Sequence, residues 1–176
     1  MNNYFSVSSL ADLSALEVHR LYKLRVDVFV HEQHCAYAEI DDIDALPTTF
    51  HVQAFEGPAG REPVGTARLF PDTAAGFAHK CLGSVDLPHD GDLWQLGRVC
   101  TAQSVRGSGL GAEILRQTLR LAHEQDPERD IVITAQVPLE DYYGRFGFVR
   151  CGEIFDWDGM DHLPMVRPAG PVGQPS

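Results

Sequence analysis

The glycine-rich hexapeptide Arg106-Gly-Ser-Gly-Leu-Gly111 is the segment of this 176-residue chain whose composition best suits ligand binding. Glycines let successive backbone N–H groups turn toward one point, and a helix that begins there adds unpaired donors and a partial positive charge. These properties predict a phosphate site. The spacing matches neither the Rossmann G-x-G-x-x-G fingerprint nor the Walker G-K-[ST] loop, and a glycine turn that merely begins a helix stays open as the alternative.

The residues around the hexapeptide predict a strand before it and a helix after it. Residues 93–101 have the composition of a strand, and apolar residues then recur at helical spacing until Gln125-Asp-Pro127 ends the helix. The pattern further along predicts a buried strand, a short helix and two last strands, at residues 131–135, 139–146, 148–155 and 162–166.

The N-terminal half predicts further strands and one long helix. A capping box at Ser14 and Glu17 begins a helix that continues through Val30, with Leu16, Leu21, Leu24, Val28 and Phe29 near one face. A strand at 4–7, a loop or short helix at 31–47, a hairpin of strands at 50–55 and 63–70, and a short strand at 81–85 complete the prediction.

Two motifs together resemble a known family. R-x-x-G-x-G directly after a strand, followed by Tyr142-Tyr143-Gly-Arg-Phe-Gly147-Phe148, resembles the acetyl-CoA-binding core of the GCN5-related N-acetyltransferase (GNAT) superfamily. The chain also resembles the ElaA-like branch of this superfamily, at residues 21–33, 41–44, 96–98 and 135–136. The resemblance implies one GNAT domain over residues 1–167, and the three prolines and two glycines of 168–176 predict a disordered tail. The implied fold is α/β, with a mixed, mostly antiparallel sheet flanked by helices and splayed between 93–101 and 131–135.

The resemblance also implies roles for individual residues. Acetyl-CoA, as cosubstrate, would be held by Val99, Cys100, Thr101, Arg106, Gly107, Ser108, Gly109, Leu110, Gly111 and Gln136. Tyr143 occupies the position of the general acid that protonates the departing CoA thiolate. N–H groups of the strand at 99–101 would polarise the thioester carbonyl. Gln136 and Gln103 depart from the asparagine and the proline that the family often has there.

The acceptor is expected to be a small-molecule or peptide amine, which a base or water chain must deprotonate before attack. The residues expected on the acceptor side are Arg25, Glu32, Asp41, Asp44, His51 and Arg98. The candidates for the base are Glu32, Glu39, Asp41, Asp44, His51 and His162, and a structural role is the alternative for each of the two histidines. A solvated loop is the alternative for the acidic run at 39–44. Arg98 inside a strand requires a carboxylate, either in that run or in a substrate.

Two other functions stay open. Arg25, Phe29, Asp41 and Asp44 also resemble N-acyl-homoserine lactone synthases, which share the fold but take acyl chains from a carrier protein. The intact R-x-x-G-x-G motif favours CoA over a carrier protein. A non-catalytic acyl-CoA-binding module would keep the glycine loop without the acid, so the presence of Tyr143 counts against it.

Composition limits the partners and the compartment. Fourteen basic and 25 acidic residues give a net charge of −11, which disfavours nucleic acid and favours a cationic or amine partner. No apolar run is long enough to span a membrane and no leader is evident, so we expect a cytoplasmic protein without membrane contact. Four dispersed cysteines are expected to be buried thiols, and no metal site is predicted, because His31-x-x-His34-Cys35 lacks a second ligand pair. The oligomeric state is open, with a homodimer as one option.

Overall fold

The computed structural model describes residues 3–57, 59–83 and 85–170. The chain forms two compact units, each built from two segments. Unit 1 consists of Met1–Phe70 and Arg98–Thr118, and unit 2 of Pro71–Gly97 and Leu119–Ser176. The boundaries between the units therefore fall inside two strands and one helix, each of which contributes residues to both units.

Unit 1 contains most of the elements of the N-terminal half. They are β1 (Asn3–Ser8), α1 (Ala15–Arg25), β2 (Phe50–Glu56), the first part of β3 (Gly65–Thr73), the end of β4 (Asp92–Thr101) and the start of α3 (Leu110–Gln125). Unit 2 contains the rest of these three shared elements. It adds α2 (Ala74–Lys80), β5 (Ile131–Gln136), α4 (Glu140–Gly144), β6 (Val149–Arg150), β7 (Phe155–Trp157) and β8 (Met160–Arg167).

The eight strands form a mixed, mostly antiparallel sheet. They pair in the order β1-β2-β3-β4-β5-β8-β6, and β7 also pairs with β8. The parallel ladder between β4 and β5 joins Trp94 to Ile131 and Gln95 to Val132. Within the described residues this ladder has no further rung, whereas β5 pairs with β8 along its whole length. The predicted α/β class and the open, splayed sheet are confirmed.

Helix α1 begins where the capping box predicts. The Ser14 hydroxyl accepts a hydrogen bond from the Glu17 N–H at 3.3 Å, and the Glu17 carboxylate accepts one from the Ser14 N–H at 2.8 Å. The helix continues into a wider π-helical segment, Val26–Glu32. Four of the five predicted apolar positions are buried, but Leu16 is 54% exposed in the first turn.

The prediction of a strand at 81–85 is wrong. Helix α2 occupies the preceding residues, because Thr73 caps it at the Gly76 N–H and Phe77 is fully buried in the core of unit 2. Val85 forms only an isolated bridge with Gly152. The prediction of one strand at 148–155 is also wrong. The segment forms two short strands, β6 and β7, and the bridge at Gly152 lies between them.

The remaining expectations concern cysteines, the tail and membrane spans. The four cysteines are buried and unpaired, as predicted. In the expected tail, the Ala169 N–H donates to Asp130 at 2.8 Å, and residues 171–176 lie outside the described residues. Within the described residues, no helix is long and apolar enough to cross a membrane.

Candidate functional site

The loop between β4 and α3 has a backbone conformation that requires glycine at two positions. Residues 106–112, hereafter the glycine loop, follow a short 3-10 turn at Gln103–Val105. Gly107 and Gly109 have φ values of +79° and +85°, in the left-handed region. An added Cβ would have open space at both positions, so the glycines serve the chain path rather than close packing.

The glycine loop presents unpaired backbone donors. Within the described residues, the N–H groups of Gly107, Gly109, Gly111 and Ala112 have no acceptor. The first intrahelical bond of α3 runs from the Glu113 N–H to the Gly109 carbonyl at 3.2 Å. The first N–H groups of any helix lack intrahelical acceptors and carry partial positive charge, so these four donors can bind a phosphate.

Side chains and packing in unit 1 hold the glycine loop in place. The Ser108 hydroxyl donates to the Val105 carbonyl at 2.6 Å, and the Arg106 guanidinium lies 2.6 Å from the Glu32 carboxylate and 3.2 Å from the Thr101 carbonyl. A Cβ on Gly65 would lie 2.3 Å from Cδ1 of buried Ile114. Helix α3 therefore packs closely on β3 at Gly65.

Strand β4 is distorted just before the glycine loop. Arg98 has a φ of +53°, a conformation that costs a non-glycine residue about 1–3 kcal/mol and persists only where its surroundings enforce it. The next residues, Val99 to Thr101, are those expected to meet CoA. Burial raises the pKa of the Cys100 thiol to about 12, so this cysteine stays protonated and is no nucleophile at neutral pH.

Arg98 is held by the acidic run. Its Nε lies 3.0 Å from Glu39 Oε2, and Nη2 lies 3.6 Å from an Asp41 oxygen. The guanidinium also stacks over the Tyr37 ring at 5.2 Å from the ring centroid. Of the two partners expected for Arg98, the structure shows the carboxylate of the acidic run.

Two more arginines complete a buried network. Arg25 lies 2.7 Å from Glu39 and 2.6 Å from Asp44, and Arg68 lies 2.7 Å from Asp41 and 2.9 Å from Asp44. We call this set the arginine–carboxylate cluster, which consists of Arg25, Glu39, Asp41, Asp44, Arg68 and Arg98. Three arginines and three carboxylates give the cluster a formal charge of zero.

Burial and charge determine the protonation of the cluster. Glu39 and Asp44 are 5% and 0% exposed, so the solvated-loop alternative is wrong for both. Burial by itself raises the pKa of Asp44, but hydrogen bonds and charge from Arg25 and Arg68 outweigh it and lower that pKa to about 2. Asp44 is therefore ionised and neutralised by its neighbours at physiological pH.

The two histidines expected near the acceptor lie in different units. His51 is 1% exposed, and its Nε2 lies 2.9 Å from the Asp44 carbonyl. Burial lowers the pKa of His51, which keeps the ring neutral. In unit 2, His162 Nδ1 lies 2.9 Å from the Met160 carbonyl, and its ring packs edge-on against Trp157.

Tyr143 lies in unit 2 on α4. It is 9% exposed, and its ring packs edge-on against Tyr142 and Phe148, with centroids at 5.4 and 6.0 Å. Its hydroxyl has no hydrogen-bond partner within the described residues. Burial raises the pKa of Tyr143, so the phenol keeps its proton at neutral pH, as a general acid must. Gln136 ends β5 in the same unit, in register with His162 of β8.

Arg68 and Tyr37 were not identified from the sequence as partners of the acidic run and of Arg98. Arg68 lies in β3 directly across from His51 of β2 and binds two carboxylates of the acidic run. The available signal was the type of residue: an arginine within a strand, like Arg98, requires a carboxylate. Applied to both strands, that argument would have predicted the paired state of the acidic run.

Comparisons with known proteins agree on one family. Residues 73–168 match a family model described as an acetyltransferase (GNAT) domain. A UPF0039 protein of Mycobacterium tuberculosis is 38% identical over 165 residues, covering 93% of each chain. Protein ElaA of Escherichia coli is 29% identical over 159 residues, covering 89% of this chain and 91% of ElaA.

Solved structures show the same likeness. An acyl-CoA N-acyltransferase from Pseudomonas aeruginosa has a TM-score of 0.76 at 30% identity, and Escherichia coli ElaA has 0.76 at 25%. Each comparison covers 94% of this chain and 99% of the other. A CoA-dependent acyl-homoserine lactone synthase has a TM-score of 0.75 at 18% identity, covering 99% of this chain and 92% of the other, a likeness that shows the fold alone.

Proposed function

Because this chain belongs to the GNAT acetyltransferase family, we propose that it transfers an acetyl group from acetyl-CoA directly to an amine acceptor. The observation that carries the proposal is the set of four unpaired N–H groups in the glycine loop. A chain with a net charge of −11 repels anions in general, so a concentrated set of donors gives one place where the CoA pyrophosphate can bind.

The proposed reaction has one bond formed and one broken at the thioester carbon. The neutral amine attacks the carbonyl carbon, a tetrahedral oxyanion forms, and the C–S bond then breaks to leave CoA thiolate and an amide. N–H groups of Val99 to Thr101 are proposed to stabilise the oxyanion. The Tyr143 hydroxyl gives its proton to the thiolate and regains one from water, while the acceptor nitrogen loses its proton to a base or water.

Tyr143→Phe tests the proposed acid, because it keeps the ring packing and deletes only the hydroxyl. A thiol has a reference pKa near 8.5, so a thiolate can leave unaided at some rate, and general acids contribute about 10²–10⁴-fold. We expect kcat to fall by about 10²-fold with CoA affinity unchanged. Steady-state kinetics and calorimetry measure the two, and Tyr142→Phe on the same helix is the matched control, with near-normal kcat.

Acyl donors with better leaving groups sharpen that test. If the lost proton transfer explains the defect, acetyl thioesters of more acidic thiols should restore part of the rate of Tyr143→Phe. A fall in CoA affinity with kcat intact would instead assign Tyr143 to binding. Normal values for both constants would leave the residue a packing aromatic.

The arginine–carboxylate cluster bears on the proposed acceptor. Each carboxylate of the cluster is already paired with arginine, so none offers an uncompensated negative charge to an ammonium group. Glu32 is likewise paired with Arg106. We propose that the acidic run shapes the acceptor side by fixing residues 37–44 rather than by binding a cation.

The decisive experiment is incubation with acetyl-CoA and a mixed panel of amines, following release of free thiol and the masses of the products. Acetylated amine with stoichiometric thiol supports the proposal. The runner-up activity is suggested by Arg25, Asp41 and Asp44, which meet in one cluster and carry the resemblance to homoserine lactone synthases. It predicts no transfer from acetyl-CoA, and transfer of a longer acyl chain from an acyl carrier protein or, as for the CoA-dependent synthase of similar fold, from an acyl-CoA. Tight CoA binding without any transfer would indicate a non-catalytic module.

A further inference from the structure

Unit 1 contains a cleft of about 460 Å³ that shares no residue with the glycine loop. The first turns of α1, the strands β1 and β2, and the connection from β2 to β3 form its walls. Ligand sites of proteins have volumes of about 300–1,000 Å³, so a small molecule would fit. The cleft also accounts for exposed Leu16, which lies on its rim rather than in the core.

Gln53 provides the observation that points to a ligand. It lies in the middle of β2, is 2% exposed and lines the cleft. Its side-chain amide has no hydrogen-bond partner within the described residues, and the amide nitrogen and oxygen are accessible to water in the cleft. An amide held in a largely buried side chain but open to a cleft can exchange its hydrogen bonds to water for hydrogen bonds to a ligand. An amide that has both a donor and an acceptor free at the wall of a cleft is suited to bind a polar group of a ligand.

The other lining residues define what that ligand would be. Tyr4 and Phe55 lie across from each other on β1 and β2, with ring centroids 6.3 Å apart, and present aromatic surface. Arg20 and Arg61 line the same cleft, and neither forms an ion pair within the described residues, although Arg20 donates to the Arg61 carbonyl at 3.3 Å and its charge contributes to the lowered pKa of Glu17. The one lining carboxylate, Glu17, is occupied by the N–H and hydroxyl of Ser14.

We propose that this cleft is a second small-molecule site, for an aromatic carboxylate. The ring packs on Tyr4 and Phe55, the carboxylate pairs with the guanidinium groups of Arg20 and Arg61, and the Gln53 amide binds a polar group of the ligand. The site is separate from acyl transfer, so it stands or fails independently of the proposed function.

Binding is tested on the whole chain with phenylacetate as the probe, by protein NMR titration. We expect saturable binding with a dissociation constant of about 1 mM or tighter, and shifts in the Gln53 side-chain amide signals. Acetate lacks the ring, benzyl alcohol lacks the charge, and benzylamine reverses the charge, so each should bind at least about fivefold more weakly. Equal binding of all ring compounds would overturn the proposal, because it would indicate a nonspecific apolar surface.

Two variants separate a binding role from a structural one. Gln53→Leu should weaken phenylacetate binding by about fivefold or more while the Tm holds or rises, because the amide makes no hydrogen bond to the described part of the protein that the variant would lose. Arg61→Ala, at an exposed position, should weaken binding similarly with the Tm unchanged. The matched control is Arg120→Ala, at an exposed arginine outside the cleft.

The outcomes decide the proposal even if Gln53→Leu fails to fold, since Arg61→Ala then decides alone. Unchanged affinity in the folded variants, or absence of saturable binding to the parent chain, overturns it. CoA affinity is measured in parallel and should be the same in all variants. A loss of CoA binding in Arg61→Ala would show that the cleft is not independent of acyl transfer.

Discussion

Unit 1 holds two polar regions that treat their hydrogen-bonding groups in opposite ways. In the glycine loop, four backbone donors near the surface have no acceptor within the described residues. In the arginine–carboxylate cluster, nearly all the charge is buried, and each charged group lies against one of opposite sign. The loop therefore has donors available for a ligand, whereas the charged groups of the cluster are paired with one another. Charged side chains here build structure, whereas uncharged backbone N–H groups form the proposed CoA site.

The largest expected effect comes from breaking the cluster. Asp44→Asn keeps the shape of the side chain but leaves Arg25 and Arg68 with one carboxylate fewer in a fully buried position. Removing one partner of a buried ion pair costs about 3–5 kcal/mol, so the free energy of unfolding should fall by that amount in urea titrations. Asp42→Asn, in the same acidic run but exposed, should change it by less than about 0.5 kcal/mol. Equal effects of the two variants would mean that the cluster adds no stability.

The next effect tests the glycine loop. Gly109→Glu places a side chain at a φ of +85° and a negative charge among the four donors. CoA affinity measured by calorimetry should fall by at least about 100-fold, which corresponds to about 2.7 kcal/mol. Gly159→Glu is the matched control, since Gly159 also has a positive φ, +87°, and open space beside it. Undiminished affinity in folded Gly109→Glu would remove the loop from the CoA site.

The same contrast explains what the sequence could and could not predict. The glycine spacing depends on local backbone geometry, so the strand, the loop and the helix of 93–125 could be read directly, as could the capping box at Ser14. The pairing in the cluster depends on contacts between residues far apart in sequence, such as Arg68 with Asp41. An acidic run therefore looked like a solvated loop or a cation clamp until its partners were located. The prediction of a strand at 81–85 is wrong for a related reason. Burial of Phe77 determines the preceding helix α2 more than local propensity does.

Acid should weaken the cluster while the loop keeps its donors. The pKa of Asp44 is lowered to about 2 in the folded chain, below its ordinary value, so its stabilising contribution is present above about pH 4 and is lost as the pH falls toward 2. The integrated loss is about 2 kcal/mol. Urea titrations at several pH values should show the stability gap between the parent chain and Asp44→Asn narrowing by that amount. A gap that stays constant down to pH 2 would contradict a lowered pKa.

The smallest effect separates backbone from side chain within the glycine loop itself. The Ser108 hydroxyl donates inward to the Val105 carbonyl and accepts from the Leu110 N–H at 3.4 Å, so Ser108→Ala removes two loop contacts but none of the four free donors. CoA affinity should fall by less than about fivefold, since the shorter bond contributes about 1 kcal/mol to the loop conformation and the 3.4 Å contact adds little. Ala112→Pro, in contrast, deletes one free N–H in the first turn of α3, where no intrahelical bond is lost. If phosphate binding rests on these donors, that variant should bind CoA about tenfold more weakly, with circular dichroism showing an intact helix. A larger loss of CoA affinity in Ser108→Ala than in Ala112→Pro would assign CoA recognition to the Ser108 side chain. The glycine loop would then no longer differ from the cluster in binding through its backbone.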